Sequence, residues 1–166
     1  MKSARWILLG VAVLLAVGWY FGFFSPEPKE AIRMQLKKLS NLASFGPDEP
    51  SFRRFSKIQT MGALFTEDIV ILLDSIDTDT RTLRGRDELK QYAMAAKTIG
   101  NGLKAEFFDV NIDLGPSREA AVVDLTAKLK FGGDPDFIPM ELKLNMKKIH
   151  GEWLINRVES VSPLKP

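Results

Sequence analysis

Ala121-Val122-Val123-Asp124-Leu125-Thr126-Ala127-Lys128-Leu129-Lys130-Phe131 alternates between apolar and polar side chains almost without a break. Ala121, Val123, Leu125, Ala127, Leu129 and Phe131 fall on one face, and Val122, Asp124, Thr126, Lys128 and Lys130 on the other. A period of two is the mark of a half-buried β-strand. The next run repeats it, with Ile138, Met140, Leu142, Leu144 and Met146 inward and Glu141, Lys143, Asn145 and Lys147 outward. Trp153 to Val161 follows a turn at His150-Gly151-Glu152. The stretch from Arg118 to Ser160 therefore predicts three long antiparallel strands, around which the rest of the chain is arranged.

The chain has 166 residues, 45% of them hydrophobic, enough for one apolar segment and one ordinary domain. Lys2 and Arg5 account for the excess of 23 basic over 21 acidic residues, so the chain from Ser25 onward has no formal net charge. A nucleic-acid partner is not expected of such a balance. No cysteine is present, which excludes a disulfide framework, a thiolate zinc site and a cysteine nucleophile. One histidine is too few for a clustered metal site, and no Gly-rich phosphate loop or Ser-His-Asp arrangement occurs in a usable context. Neither a metal nor a cofactor is expected.

Trp6 to Phe24 contains no charged residue. As a helix it would span roughly 28 Å, matched to a bilayer core of about 30 Å. Lys2 and Arg5 precede it, which by the positive-inside bias places the N-terminus in the cytoplasm and the following domain outside it. A cleaved signal peptide is the competing reading, with Ala16-Val17-Gly18 as a small-residue site. The apolar run continues beyond that site through Phe24, a poor start for a mature chain. The expected organisation is an anchor over 1–24, a linker over 25–28 and a domain over 29–166.

Pro28 suits the first turn of a helix, and Ile32, Leu36, Leu39, Leu42, Ala43 and Phe45 trace one stripe behind it. Ser51 reads as the N-cap of a second helix over Phe52 to Thr60. Met61 to Asp74 reads as a short helix feeding a strand, and Thr80 to Gly85 as a brief return strand. A further helix opens at Gly85-Arg86-Asp87-Glu88-Leu89, with Leu89, Tyr92, Ala93, Ala96 and Ile99 as its buried stripe. Leu103 to Leu114 is a long strand whose alternation shifts near Phe107-Phe108, the sign of a bulge.

This order resembles the nuclear-transport-factor-2-like superfamily, which includes SnoaL-like and ketosteroid-isomerase-like proteins. The motifs that carry it are Leu64-Phe65-Thr66-Glu67-Asp68-Ile69, Gly85-Arg86-Asp87-Glu88-Leu89 and Gly151-Glu152-Trp153-Leu154-Ile155. The resemblance implies an α+β cone: a strongly bent, mostly antiparallel sheet wrapped around three to four helices, behind the transmembrane helix. It also implies a pocket at the open end with room for a small apolar ligand, lined by Asp74, Tyr92, Phe107, Met140 and Leu142. Isomerase-like members carry a general base near the end of a strand like the one ending at Asp74. The structural alternative for Asp74 is a turn residue opening Asp74-Ser75-Ile76-Asp77-Thr78.

Other polar residues have plain expectations. Asp109 and Asp113 should face solvent, Asp124 should pair with a lysine across the sheet, and His150 should be exposed in its turn. Lys128, Lys130, Lys143 and Lys147 share the outer face, a solvated surface or a site for an anionic headgroup or acidic protein. The inner faces of the two clearest strands carry no ionisable residue. The combined expectation is a single-pass bacterial inner-membrane protein with a periplasmic domain, binding or assembling with other proteins of a membrane complex. The assembly-factor subunit of type IV secretion systems is similar in layout. The alternative is a small-molecule isomerase or cyclase using a pocket carboxylate such as Asp74.

Overall fold

The structure, a computed structural model, describes residues 27–74, 80–99, 101–132 and 136–161. The expected span Trp6–Phe24 lies outside these residues, and none of the described helices is long and apolar enough to cross a membrane.

Pro28 opens α1 (Pro28–Ala43), with Glu30 in the first turn, where proline's missing N–H costs nothing and an acid suits the helix dipole. Its stripe buries Ile32, Leu36 and Leu39. In α2 (Ser51–Gly62), which buries Ile58 and Met61, Pro50 rather than Ser51 holds the N-cap position. The extended backbone of Pro50 sets the turn one residue earlier than a serine cap would. The third helix, α3 (Arg86–Ile99), carries Asp87 and Glu88 in its first turn. It buries Leu89 and half-buries Ala93, while Tyr92 is 41% exposed. The expected stripe of Leu89, Tyr92, Ala93 and Ala96 is thus corrected: Tyr92 and Ala96 turn to solvent.

Six strands form one curved sheet: β1 (Phe65–Asp74), β2 (Thr80–Arg84), β3 (Leu103–Leu114), β4 (Ala120–Phe131), β5 (Ile138–Ile149) and β6 (Glu152–Ser160). Their order is β2-β1-β6-β5-β4-β3, and only β1 and β6 run parallel. His150 and Gly151 join β5 to β6 with φ of 50° and 86°, the two-residue turn whose twist matches a hairpin. In β3 the alternation switches at Asp109, which has φ 51°, between the paired residues Phe108 and Asn111. The bulge falls two residues later than Phe107-Phe108.

The concave face packs on the helices. Val123, Leu125, Leu144, Met146, Ile155 and Ile69 meet Ile32, Leu36 and Met61 in one cluster. Burial then fades along β4 and β5. Leu129 and Met140 are only half-buried, Phe131 is 42% exposed and Ile138 is 48% exposed. This corrects the expectation that the whole inner face is buried. The cause is placement: the C-terminal end of α1 and Phe45 lie on the edge strand β3, at Ala105 and Leu103, which leaves the adjoining ends of β4 and β5 only partly covered.

Thr126 is the second correction. It lies on the outer side of β4, yet is only 9% exposed, and its hydroxyl donates to Glu141 Oε1 at 2.8 Å. Its neighbours across the sheet are Phe108 and Glu141, whose side chains close over the small threonine.

The β1–β6 ladder is interrupted: Phe65 pairs with Ile155 and Val70 with Arg157, leaving Thr66–Ile69 opposite the single residue Asn156. Asp68 stands in this break. The Thr66 hydroxyl, and then the Asp68 backbone N–H, hold its carboxyl below the ordinary aspartate value of 3.8.

Two outcomes follow from this packing. Leu125→Ala should lower stability to urea by about 2–5 kcal/mol through the cavity it leaves, whereas Thr126→Val, which removes one hydrogen bond, should cost about 1 kcal/mol. Thr126→Asp should also destabilise, by setting a second carboxylate beside Glu141. For Asp68, a depressed folded pKa means stability that is present above the unfolded value and lost as pH falls through the folded one. The gap in stability between the wild type and Asp68→Asn should therefore be larger at neutral pH than below about pH 3.

Candidate functional site

The interior of the cone is the first place to look for chemistry. Among the described residues, the polar side chains that the fold buries are Thr66 and Thr126, and neither is ionisable near neutral pH. Asp74 ends β1, its backbone paired with Thr80; its side chain lies outside what is described. Phe107 lines the cleft between α1 and β3, and Leu142 packs on the core. Met140 is half-buried on β5 and Tyr92 is exposed on α3. Asp68, the carboxylate whose pKa is depressed, is held in its charged form. A general base working near neutral pH needs the opposite shift. No group of three or more His, Asp or Glu among the described residues is arranged to hold a metal ion.

The cleft between α1 and β3 has a volume of about 480 Å³. Arg33, Lys37, Ser40 and Asn41 of α1 form one wall, and Glu106, Phe107, Phe108 and Val110 of β3 the other. Its upper end is clasped. Ser40 Oγ donates to the Ala105 carbonyl at 2.6 Å, and the Ala105 N–H donates to Ser44 Oγ at 3.0 Å. Phe45 and Leu103 exchange backbone hydrogen bonds of 2.8 Å each. These contacts satisfy the outer edge of β3 at Leu103 and Ala105, where free N–H and C=O groups would otherwise face another chain. The cleft is open and of mixed charge. It can hold a polar ligand against an aromatic floor, but within it Arg33 is tied to Glu30 at 3.6 Å.

A second depression, of about 270 Å³, lies on the convex face among Gly115, Val122, Asn145, Lys147 and Asn156. Asn156 Oδ1 is buried there without a hydrogen-bond partner. Sequence reasoning missed it, because Asn156 sits in the irregular β1–β6 pairing and alternation alone carries no sign of that break. The outer polar residues fall as expected: Asp109, Asp113 and His150 are exposed, and Lys143 Nζ lies 3.9 Å from Asp124 Oδ1.

No protein-family profile matches the chain, and no curated protein matches it either. Solved structures do. A protein provisionally named a scytalone dehydratase, from Novosphingobium aromaticivorans, is 18% identical with a TM-score of 0.62, over 82% of this chain and 84% of its own. A Nostoc punctiforme protein of unknown function with a cystatin-like fold is 16% identical with a TM-score of 0.62, over 83% and 93%. A nuclear-transport-factor-2-like protein with a cystatin-like fold, also from Novosphingobium aromaticivorans, is 14% identical with a TM-score of 0.61, over 92% and 88%. At such identities the likeness is one of fold: the described residues form the nuclear-transport-factor-2-like, cystatin-like cone.

Proposed function

We propose that this chain is a single-pass membrane protein whose cone domain stands outside the cytoplasm as a binding or assembly subunit of a membrane-associated complex. The observation that carries the binding reading is the interior. Where relatives with chemistry to perform would need ionisable groups, the described core holds aliphatic and aromatic side chains with Thr66 and Thr126 alone as buried polar residues. Burying a lone carboxylate there would cost several kcal/mol unless it were paired. The uncharged run Trp6–Phe24 behind Lys2 and Arg5 supports the anchor and its orientation.

One observation favours a second reading. Among the similar structures are proteins provisionally named a scytalone dehydratase and an aromatic ring hydroxylase. In that reading Asp74 would be the base, a role that needs a pKa raised by apolar surroundings.

Topology is tested with a reporter fused after Pro166. It should be active only outside the cytoplasm and stay in the membrane pellet after a carbonate wash; a shortened soluble product would identify residues 1–24 as a cleaved signal. The two functional classes separate at Asp74→Asn. A binding subunit should keep its stability and its co-purifying partners, whereas an enzyme would lose turnover. An Asp74 carboxyl that titrates above about pH 6 would overturn the binding reading.

A further inference from the structure

The formal charge of zero from Ser25 onward hides a division. Residues 25–62 carry seven lysines and arginines against four acids, and residues 63–166 carry fourteen against seventeen. A surplus of three positive charges therefore belongs to α1, α2 and the segments flanking α1, and the matching deficit to α3, the sheet and its turns. Two of the four acids are already neutralised: Glu30 pairs with Arg33 at 3.6 Å, and Glu49 with Lys57 at 2.6 Å. The other two, Glu27 and Asp48, stand before α1 and in the loop after it. Lys37, Lys38 and Arg53 are exposed and make no ion pair among the described residues. A domain with opposite surpluses in two layers takes a preferred orientation at a charged surface.

Apolar side chains stand in the same layer. α2 packs chiefly on α1 and α3 and buries Ile58 and Met61. Its opposite stripe is Phe52, Ser56, Gln59 and Ala63, spaced as one helical face, and all four are exposed. Phe52 is 73% exposed, and Phe55 beside this stripe is 52% exposed. Arg53 adjoins Phe52 in the first turn. At the Ala63 end, Met34 and Lys38 of α1 border the same depression as Ala63, and Met34 is 50% exposed. The surface thus runs from the outer side of α1 along α2 to Phe52, with Lys38 at one end and Arg53 at the other. Exposed rings among lysine and arginine on a helix are the composition of an interfacial surface.

We propose that the outer face of α2, with Met34 and Lys38 of α1, rests on the bilayer that holds the anchor. Phe52 and Phe55 enter the headgroup layer, and Lys38 and Arg53 meet the phosphates of anionic lipid. This deepens, and rests on, the anchored reading above. Three residues, Ser25 to Glu27, separate the run Trp6–Phe24 from α1, a reach of about 10 Å at most. The bilayer is then present at high effective concentration, so contacts too weak to recruit a free protein suffice to orient a tethered one. The positive surplus turns α1 and α2 toward the lipid, and the acidic remainder turns the convex face of the sheet away from it.

The chain has no cysteine, so Ser56→Cys accepts a single nitroxide label in the full chain. In phosphatidylglycerol nanodiscs this label should collide more with oxygen and severalfold less with a water-soluble nickel reagent than it does in phosphatidylcholine nanodiscs. A label carried by Lys143→Cys, on the convex face, should stay aqueous in both. Lys38→Glu combined with Arg53→Glu should lower the ratio of docked to undocked chain in the anionic discs by about tenfold or more. Phe52→Ser should lower it as well. A position-56 label equally aqueous in both lipids, or a position-143 label that meets lipid instead, would overturn the proposal. So would a position-56 label shielded in native membranes yet aqueous in anionic discs, which would assign this face to a protein partner. Carbonate extraction separates failure of this surface from failure of the anchored reading. A chain that stays in the pellet with an aqueous position-56 label loses the surface and keeps the anchor; a chain released by carbonate counts against both.

Discussion

The domain is held together by the inner face of β4 and β5, which the helices cover over only part of its extent. Where the helices lie, Val123, Leu125, Leu144 and Met146 are sealed against Ile32, Leu36 and Met61. Burial of that many aliphatic side chains, at about 25 cal/mol per Å² of apolar surface, is the dominant favourable term in folding. Beyond the reach of the helices the same alternation continues, but its apolar side chains meet solvent. One end of the sheet is therefore core and the other is surface.

That division has functional weight. Among the described residues, the buried part of the interior is lined by aliphatic and aromatic side chains. The α1–β3 cleft and the Asn156 depression lie outside it. The clasp of Ser40, Ser44 and Phe45 on Leu103 and Ala105 also closes part of the sheet edge that strand addition would use. A fold of this kind does not by itself set a function, which lies in particular sites.

Much of this was legible in the sequence. Period-two alternation gave β4 and β5, the stripe behind Pro28 gave α1, and His150-Gly151 gave the hairpin turn. The motif order carried the superfamily resemblance. What the sequence hid was relative extent. Leu129, Phe131 and Ile138 continue the inner pattern faithfully, and no local signal says that the helices leave them uncovered. Thr126 was misread for the converse reason: alternation assigns it to the outer face but does not reveal that Phe108 and Glu141 close over it. Tyr92 follows the same logic, since a helical stripe fixes a face only to within the neighbouring residue. Asn156 belongs to a pairing irregularity between strands far apart in the chain, which no local pattern encodes.

Hydroxyl-radical footprinting of the full chain addresses the central claim directly, because side-chain oxidation rates follow solvent access. In the purified chain, Trp153 and Met146 should be protected while Phe108, Phe131 and Phe137 react readily. In native membranes Trp153 and Met146 should stay protected. Rapid oxidation of Trp153 and Met146, or protection of Phe108, Phe131 and Phe137, in the purified chain would contradict the account.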